Sequence, residues 1–210
     1  MDDPGTAVPP GRRLSFGVLI ALISAAWAAV ALVGVLVAGD HQPQVHRPVP
    51  ALVVLVALVL AQAFVVNVQL HREARSVFIS EIPVFLGLMS LSAPGFVALR
   101  TVAAAIGFGL VRRQFRQPQK LAFNICLAAG EGGLAVAVLR ALAGPDASKA
   151  HLWLAAALAA GVASGCTAAG VALVIDLLEG RPRARDLLRL SGIAFVSALP
   201  VACVGCVVWA

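Results

Sequence analysis

Charged side chains are scarce in this sequence. Asp, Glu, Lys and Arg together make up 12% of its 210 residues, whereas hydrophobic residues make up 60%. A soluble globular domain carries about 25% charged and roughly 45–50% apolar residues. The composition therefore excludes an ordinary soluble domain.

Signatures of catalysis and metal binding are also missing. The sequence contains no G-x-x-x-x-G-K-[ST], G-x-S-x-G or H-E-x-x-H motif. Its four cysteines fall inside apolar blocks, including the C-x-x-C pair Cys203 and Cys206, so they predict neither a disulfide framework nor a zinc site. The basic residues are not interleaved with aromatic residues that could stack on bases. We expect no enzyme activity, no cofactor, no metal and no nucleic-acid partner.

Long apolar blocks are what the sequence does have. A membrane-spanning helix needs about 20 largely apolar residues. Blocks of that length occur at 14–38, 49–70, 121–143, 151–175 and 190–210. The first exceeds the roughly 7–15 residues of a signal-peptide core, so it is expected to remain as a helix. The sequence predicts an all-α polytopic membrane protein with a tail at 1–13 and one membrane-embedded module at 14–210.

A sixth apolar segment, 81–111, is interrupted by Pro94 and Gly95. It can be one span or a pair of short helices, 81–92 and 94–111, that returns to the same side. With the five blocks above, the segment gives six helices if it is one span and seven if it is a pair. Because it is too short for two full spans, its first arm should be short or partly re-entrant. Such backbone is tolerated at membrane depth only inside protein or beside water, so we expect the hairpin at the centre of the bundle.

The basic residues favour the hairpin. With a single span, nine Lys and Arg lie on one side and six on the other, with Arg100 in the membrane. With a hairpin the division becomes twelve against three. Since Lys and Arg accumulate in short cytoplasmic loops, the hairpin topology is preferred, with a cytoplasmic N-terminus in the plasma membrane.

Polar residues inside the apolar blocks indicate a site. Lys120, Asn124 and Glu131 fall within roughly 40° of one another on a helix face. Glu131 lies in the middle of its block, where an unpaired charge costs at least about 2.5 kcal/mol. Arg100 in the second hairpin arm is the predicted partner, and Glu81 at the start of the first arm is a second nearby acid. These five residues form either a polar pocket for a small ligand or ion, or a buried pair that fixes helix packing.

Small residues also recur along the 151–175 block. Gly161, Gly165 and Ala169 are spaced by four, which lets a neighbouring backbone approach closely. This pattern predicts helix packing, either within the chain or between copies in a homo-oligomer.

The segment from His71 to Glu131 carries a recognisable set of residues: Ser80-Glu81-Ile82-Pro83, Gly87, Pro94, Arg100, Gly107, Lys120, Phe123-Asn124 and Glu131. In these residues it resembles the amino-terminal membrane region of actinobacterial cyclic-di-GMP signalling proteins, in which a multi-helix membrane module precedes GGDEF and EAL domains. The likeness covers about 60 residues; the later helices match in hydropathy alone. The broken hairpin is also similar in kind to the substrate-binding membrane subunits of energy-coupling-factor transporters.

The resemblance implies a sensory input module that acts on a cytoplasmic output domain. No catalytic domain follows the last apolar block, so the chain is expected to be a fragment of a larger signalling protein or a stand-alone module, without cyclase or phosphodiesterase activity of its own. The alternative expectation is a membrane transporter or its substrate-binding subunit.

Overall fold

The computed structural model describes residues 10–39, 49–63, 65–70, 73–78, 81–144, 147–179 and 192. Its helices are α1 (Pro10–Ala38), α2 (Ala51–Ala63), α3 (Glu81–Ser90), α4 (Ala93–Ala104), α5 (Pro118–Leu142) and α6 (Lys149–Glu179). A π-helix, Ala105–Val111, continues α4, and a 3-10 turn, Gln114–Arg116, precedes α5. Two antiparallel strands, β1 (Val65–Leu70) and β2 (Glu73–Phe78), follow α2.

Four helical segments are long and apolar enough to cross a membrane. They are Gly17–Ala38, Ala93–Val111, Pro118–Leu142 and Lys149–Ala172. Two shorter apolar helices, Ala51–Gln62 and Glu81–Ser90, accompany them. The predicted helical membrane character is confirmed in this form, whereas six to seven spans are not. The predicted block at 190–210, apart from Gly192, and residues 1–9 of the predicted tail lie outside the described residues.

The predicted helix over 49–70 is wrong in its second half. Helix α2 ends at Ala63, and Val65–Leu70 pairs with Glu73–Phe78, with Val65 opposite Phe78 and Leu70 opposite Glu73. Val65, Val66 and Val68 are β-branched residues, which suit a strand better than a helix. Mean hydropathy alone does not distinguish these two conformations.

The segment 81–111 forms the two predicted arms, but the break between them precedes Pro94. Helix α3 ends at Ser90, and Ser92 is the N-cap of α4, its hydroxyl accepting from the Gly95 N–H at 3.4 Å. Proline is tolerated in the first turn of a helix because the N–H that it lacks would have no intrahelical acceptor there. Pro94 therefore starts the second arm instead of interrupting it.

Helix α5 is the central element of the described bundle. It packs against α1, α4 and α6, while α2 packs against both arms of the hairpin and α3 also contacts α6. The largest fully buried side chains are Phe85, Phe96, Leu58, Leu88, Met89 and Val54, all from α2, α3 and α4. The first arm of the hairpin is mostly buried, as predicted, whereas the second arm exposes Val102, Leu110 and Val111.

We call the end of the bundle that contains Ser90 and Ala143 the tip end, and the end that contains Arg112 the basic end. At the tip end the Val49 N–H donates to Ser90 Oγ at 3.1 Å, and Ala38, Leu91 and Ala143 line a common cavity. At the basic end the Arg112 side chain donates to the carbonyl of Gln62. The end of α2 and Arg112 therefore lie at the same end of the bundle.

Candidate functional site

Glu131 stands in the sequence Gly130-Glu131-Gly132-Gly133 on α5. A Cβ at Gly133 would lie 2.5 Å from Ala31 Cα of α1, and a Cβ at Gly130 would collide with Trp27. On the hairpin side, a Cβ at Gly132 would lie 3.7 Å from Arg100 Cβ. The three glycines let two other helices approach α5 at the level of the acid.

Arg100 and Glu131 form a buried ion pair. Arg100 Nη2 lies 2.6 Å from Glu131 Oε2, and the two side chains are 5% and 9% exposed. The predicted approach of these two residues is confirmed. A charged group at this depth requires such a partner, because hydrocarbon offers it no solvation.

The ion pair uses only part of the hydrogen-bonding capacity of Arg100. Its Nε and Nη1 atoms are buried and have no acceptor among the described residues. A guanidinium carries five N–H donors in a fixed plane, and buried donors in native proteins are nearly always paired with protein, water or ligand. An additional hydrogen-bond acceptor beside Arg100 Nε and Nη1 would satisfy these two nitrogens.

Glu81 lies at the first position of α3 and belongs to the same neighbourhood. Its carboxylate interacts electrostatically with both Arg100 and Glu131. The Ser164 hydroxyl of α6 donates to Glu81 Oε1 at 3.5 Å, the long limit for such a bond. One turn further along α6, Thr167 Oγ1 is buried without a partner in the described part of the chain. Glu81 thus lies within electrostatic reach of the Arg100–Glu131 pair, where the hairpin, α5 and α6 pack together.

The other two predicted site residues lie elsewhere. Lys120 is exposed near the start of α5, and Asn124 donates to Gln114 Oε1 at 2.9 Å. Asn124 is seven residues from Glu131, about 10 Å along the helix at roughly 1.5 Å per residue. These residues share a face of α5 with Glu131 but not its cluster, which we call the polar centre: Glu81, Arg100, Glu131 and Ser164.

A second polar contact, which the sequence did not reveal, lies at the basic end. Arg112 donates from Nε and Nη2 to the Gln62 carbonyl at 3.1 and 2.9 Å, and its guanidinium lies 5.5 Å from the Phe108 ring centroid. Gln62 Oε1 is buried without a partner among the described residues, and a Cβ at Gly107 would lie 2.6 Å from it. The only sequence signal for Gln62 is that it is a polar residue inside the apolar block 49–70.

The small-residue spacing on α6 is used partly inside the chain. Gly161 and Gly165 are buried, and Ala169 is half-buried. The predicted homo-oligomer contact through these residues stays a prediction. Cys203 and Cys206 lie outside the described residues.

Comparison with known proteins identified no relative of this chain. No protein-family model matches the chain, and neither a curated protein nor a solved structure matches it.

Proposed function

We propose that this chain is a membrane-embedded sensory input module that is not itself catalytic. A small ligand or ion would bind at the polar centre and favour one packing of the hairpin over another. The changed packing would then be transmitted to a cytoplasmic output domain, of the kind that the resemblance to cyclic-di-GMP signalling proteins implies. The proposed topology has six to seven helices, a cytoplasmic N-terminus and both ends of the hairpin on the cytoplasmic side.

The observation that carries this proposal is the incompletely satisfied Arg100–Glu131 pair at the junction between a broken hairpin and α5. A ligand shifts a conformational equilibrium only by its difference in affinity for the two states. A polar centre that contacts three elements supplies such a difference when one of them moves. A tenfold preference corresponds to about 1.4 kcal/mol.

The hairpin has the irregular backbone that a movable element requires. Helix α3 has ten residues, and α4 passes into a seven-residue π-helix in which the Arg112 N–H bonds to the Gly107 carbonyl at 3.0 Å. π-helical turns are rare and occur frequently at functional sites. A shift of the second arm between π and α hydrogen bonding is the change of packing that we propose.

A transporter or its substrate-binding subunit is the alternative. Broken helices with buried charges also line substrate sites in secondary transporters. A transporter must open the polar centre to both sides of the membrane, whereas a sensor must only bind ligand and repack. Solute flux separates the two functions.

The test combines flux with a distance measurement on one preparation. The full chain is reconstituted into liposomes, and a panel of radiolabelled vitamins, amino acids and metal ions is screened for binding and uptake. Spin labels at Ala98→Cys and Ala141→Cys, both exposed positions, report the α4–α5 distance. A control pair, Leu32→Cys with Ala141→Cys, reports α1 against α5.

The sensor predicts binding of one panel member, a changed α4–α5 distance, an unchanged control distance and no uptake. Saturable uptake that depends on Glu81 or Glu131 would establish the transporter instead. Binding that leaves both distances unchanged would also contradict the sensor.

A further inference from the structure

Arg100 has unpaired donors in the polar centre, and Glu81, which has a backbone hydrogen bond and a Ser164 contact, has no ion-pair partner among the described residues. Arg100 is 4% exposed, and its Nε and Nη1 atoms have no acceptor among the described residues. Glu81 interacts electrostatically with Arg100, yet within the described part of the chain the ion pair of Arg100 is with Glu131. The side-chain donor recorded for Glu81 is the distant Ser164 hydroxyl.

The charges restrict what can fill this gap. Arg100, Glu131 and Glu81 carry one positive and two negative formal charges when ionised. A lone cation would face the free N–H donors of Arg100, and a lone anion would add a third negative charge to a poorly solvated interior. A molecule with one acceptor group and one cationic group satisfies both unpaired sides and leaves the local charge unchanged.

We propose that the polar centre binds a small zwitterion of the amino-acid type, with its carboxylate on Arg100 and its ammonium on Glu81. Arg100 Nε and Nη1 donate to the carboxylate, while Nη2 keeps its contact with Glu131. Guanidinium–carboxylate hydrogen bonds are among the strongest in proteins, since both partners are ionised. This inference rests on the proposed sensory function and specifies the ligand of that site.

The packing limits the ligand to a small size. Phe96, Val97 and Gly132 close the hairpin against α5 beside Arg100, with a Cβ at Gly132 only 3.5 Å from Val97 Cγ2. A bound zwitterion must push the hairpin away from α5, which couples occupancy to the proposed change of packing.

The experiment uses four matched probes on the purified full chain in lipid nanodiscs. Glycine and L-alanine carry both groups, acetate carries the carboxylate alone and methylamine carries the ammonium alone. Affinity is measured calorimetrically at neutral pH. We expect glycine and L-alanine to bind at least about tenfold more tightly than acetate or methylamine, because each single-charge probe leaves one buried group unpaired.

Two conservative variants separate recognition from folding. Glu81→Gln removes the ammonium acceptor and should weaken glycine at least about tenfold while improving acetate relative to it. Arg100→Lys keeps the charge beside Glu131 but loses the planar donors, and should weaken glycine and acetate together. Lys120→Gln, at an exposed position, is the control and should leave all four affinities unchanged.

Three results would overturn the inference. They are no binding of glycine or L-alanine, equal affinity for glycine and acetate, or a Glu81→Gln variant that weakens glycine and acetate equally. If another panel member still changes the α4–α5 distance, the sensory function survives and only the ligand class is wrong. If glycine binds with the expected selectivity and is also transported, the proposed ligand class is correct and the proposed sensory function is wrong.

Discussion

Because both are buried, Arg100 and Glu131 depend on one another for charge compensation. Each side chain is the recorded ionic partner of the other, and both are less than one-tenth exposed. Removing one partner of a buried pair is costly because the remaining charge is stranded, whereas replacing both by apolar groups can be nearly neutral. The two residues should therefore behave as one energetic unit.

A double-mutant cycle measures this unit directly. We expect Arg100→Ala and Glu131→Ala each to destabilise the protein by about 3–5 kcal/mol, and the double variant to lose clearly less than their sum. Unfolding in detergent micelles by heat and denaturant provides the free energies. Lys120→Ala, at an exposed site, should change stability by less than about 0.5 kcal/mol. Additive losses for the pair would mean that the two charges do not depend on one another.

At the scale of elements, glycine contacts hold α1 against α5. A Cβ at Gly34 would collide with the Gly133 backbone, and a Cβ at Gly133 would lie 2.8 Å from the Val30 carbonyl oxygen. Backbone atoms cannot move aside as the end of a side chain can. In a membrane, where lipid is as apolar as leucine, such close packing is a principal source of helix association.

Gly133→Ala should therefore loosen α1 from α5. Overpacking a tight contact typically costs about 1–3 kcal/mol, and here the obstacle is backbone. We expect a lower midpoint of thermal unfolding and faster proteolysis of the α1–α2 connection. Gly144→Ala is the matched control, because nothing lies within 4 Å of a Cβ there. Equal midpoints for the two variants would show that α1 does not depend on this contact.

Inside the hairpin, Gly87 of α3 and Phe96 of α4 form a comparable contact. A Cβ at Gly87 would lie 2.6 Å from the Phe96 ring, which is fully buried. We expect Gly87→Ala to lower stability by about 1–3 kcal/mol and Phe96→Leu to restore part of the loss by making room. Thermal unfolding of the single and double variants checks this. A double variant less stable than the sum of the single losses predicts would contradict the proposed contact.

The elements that hydropathy predicted well are those with clear ends. The block 121–143 corresponds to α5, which starts at Pro118, and 151–175 corresponds to α6. Ser148 precedes α6, and its hydroxyl accepts from the His151 N–H at 3.3 Å. The early end of α2 was not predictable from hydropathy, because valine is equally apolar in a strand. The π-helix was also missed, since neither composition nor periodicity distinguishes it from an α-helix.

The polar centre was predictable only in part. Glu131 and Arg100 were identified because charges are rare in apolar blocks and costly when unpaired. Lys120 and Asn124 were grouped with them through helical periodicity. Periodicity shows that residues share a helix face, but not which of them are close enough along the helix axis to contact the same partner. Ser164 carried no signal, because a serine in a membrane helix commonly bonds to its own backbone.

At the scale of the whole molecule, exposure divides the helices into two groups. Helix α1 exposes large apolar side chains such as Leu22, Leu32 and Leu36, whereas α3 is mostly buried. An exposed apolar surface of this extent is expected of a helix that faces lipid. Helix α3 is instead packed inside the bundle, as expected of a helix too short to span the membrane, whereas the second arm exposes Leu110 and Val111.

The expected topology rests on the helix packing and on the distribution of charge. The contact between Arg112 and the Gln62 carbonyl places the end of α2 and the end of the second hairpin arm at one end of the bundle. Among the described residues, Arg140 lies near the end of α5 and Lys149 at the start of α6, at the opposite end of the bundle from Arg112. Since Lys and Arg of short loops are retained in the cytoplasm, the basic end should be cytoplasmic.

Cysteine labelling in intact cells tests that orientation. In a background with the four native cysteines replaced, Ser76→Cys and Gln117→Cys should both resist a membrane-impermeant maleimide until the cells are permeabilised. Ser148→Cys, which is exposed at the tip end, should react from outside and so proves that the reagent has access. If Ser76→Cys and Gln117→Cys label from opposite sides, the segment 81–111 crosses the membrane once. The charge bias and the Arg112 contact would then require another explanation.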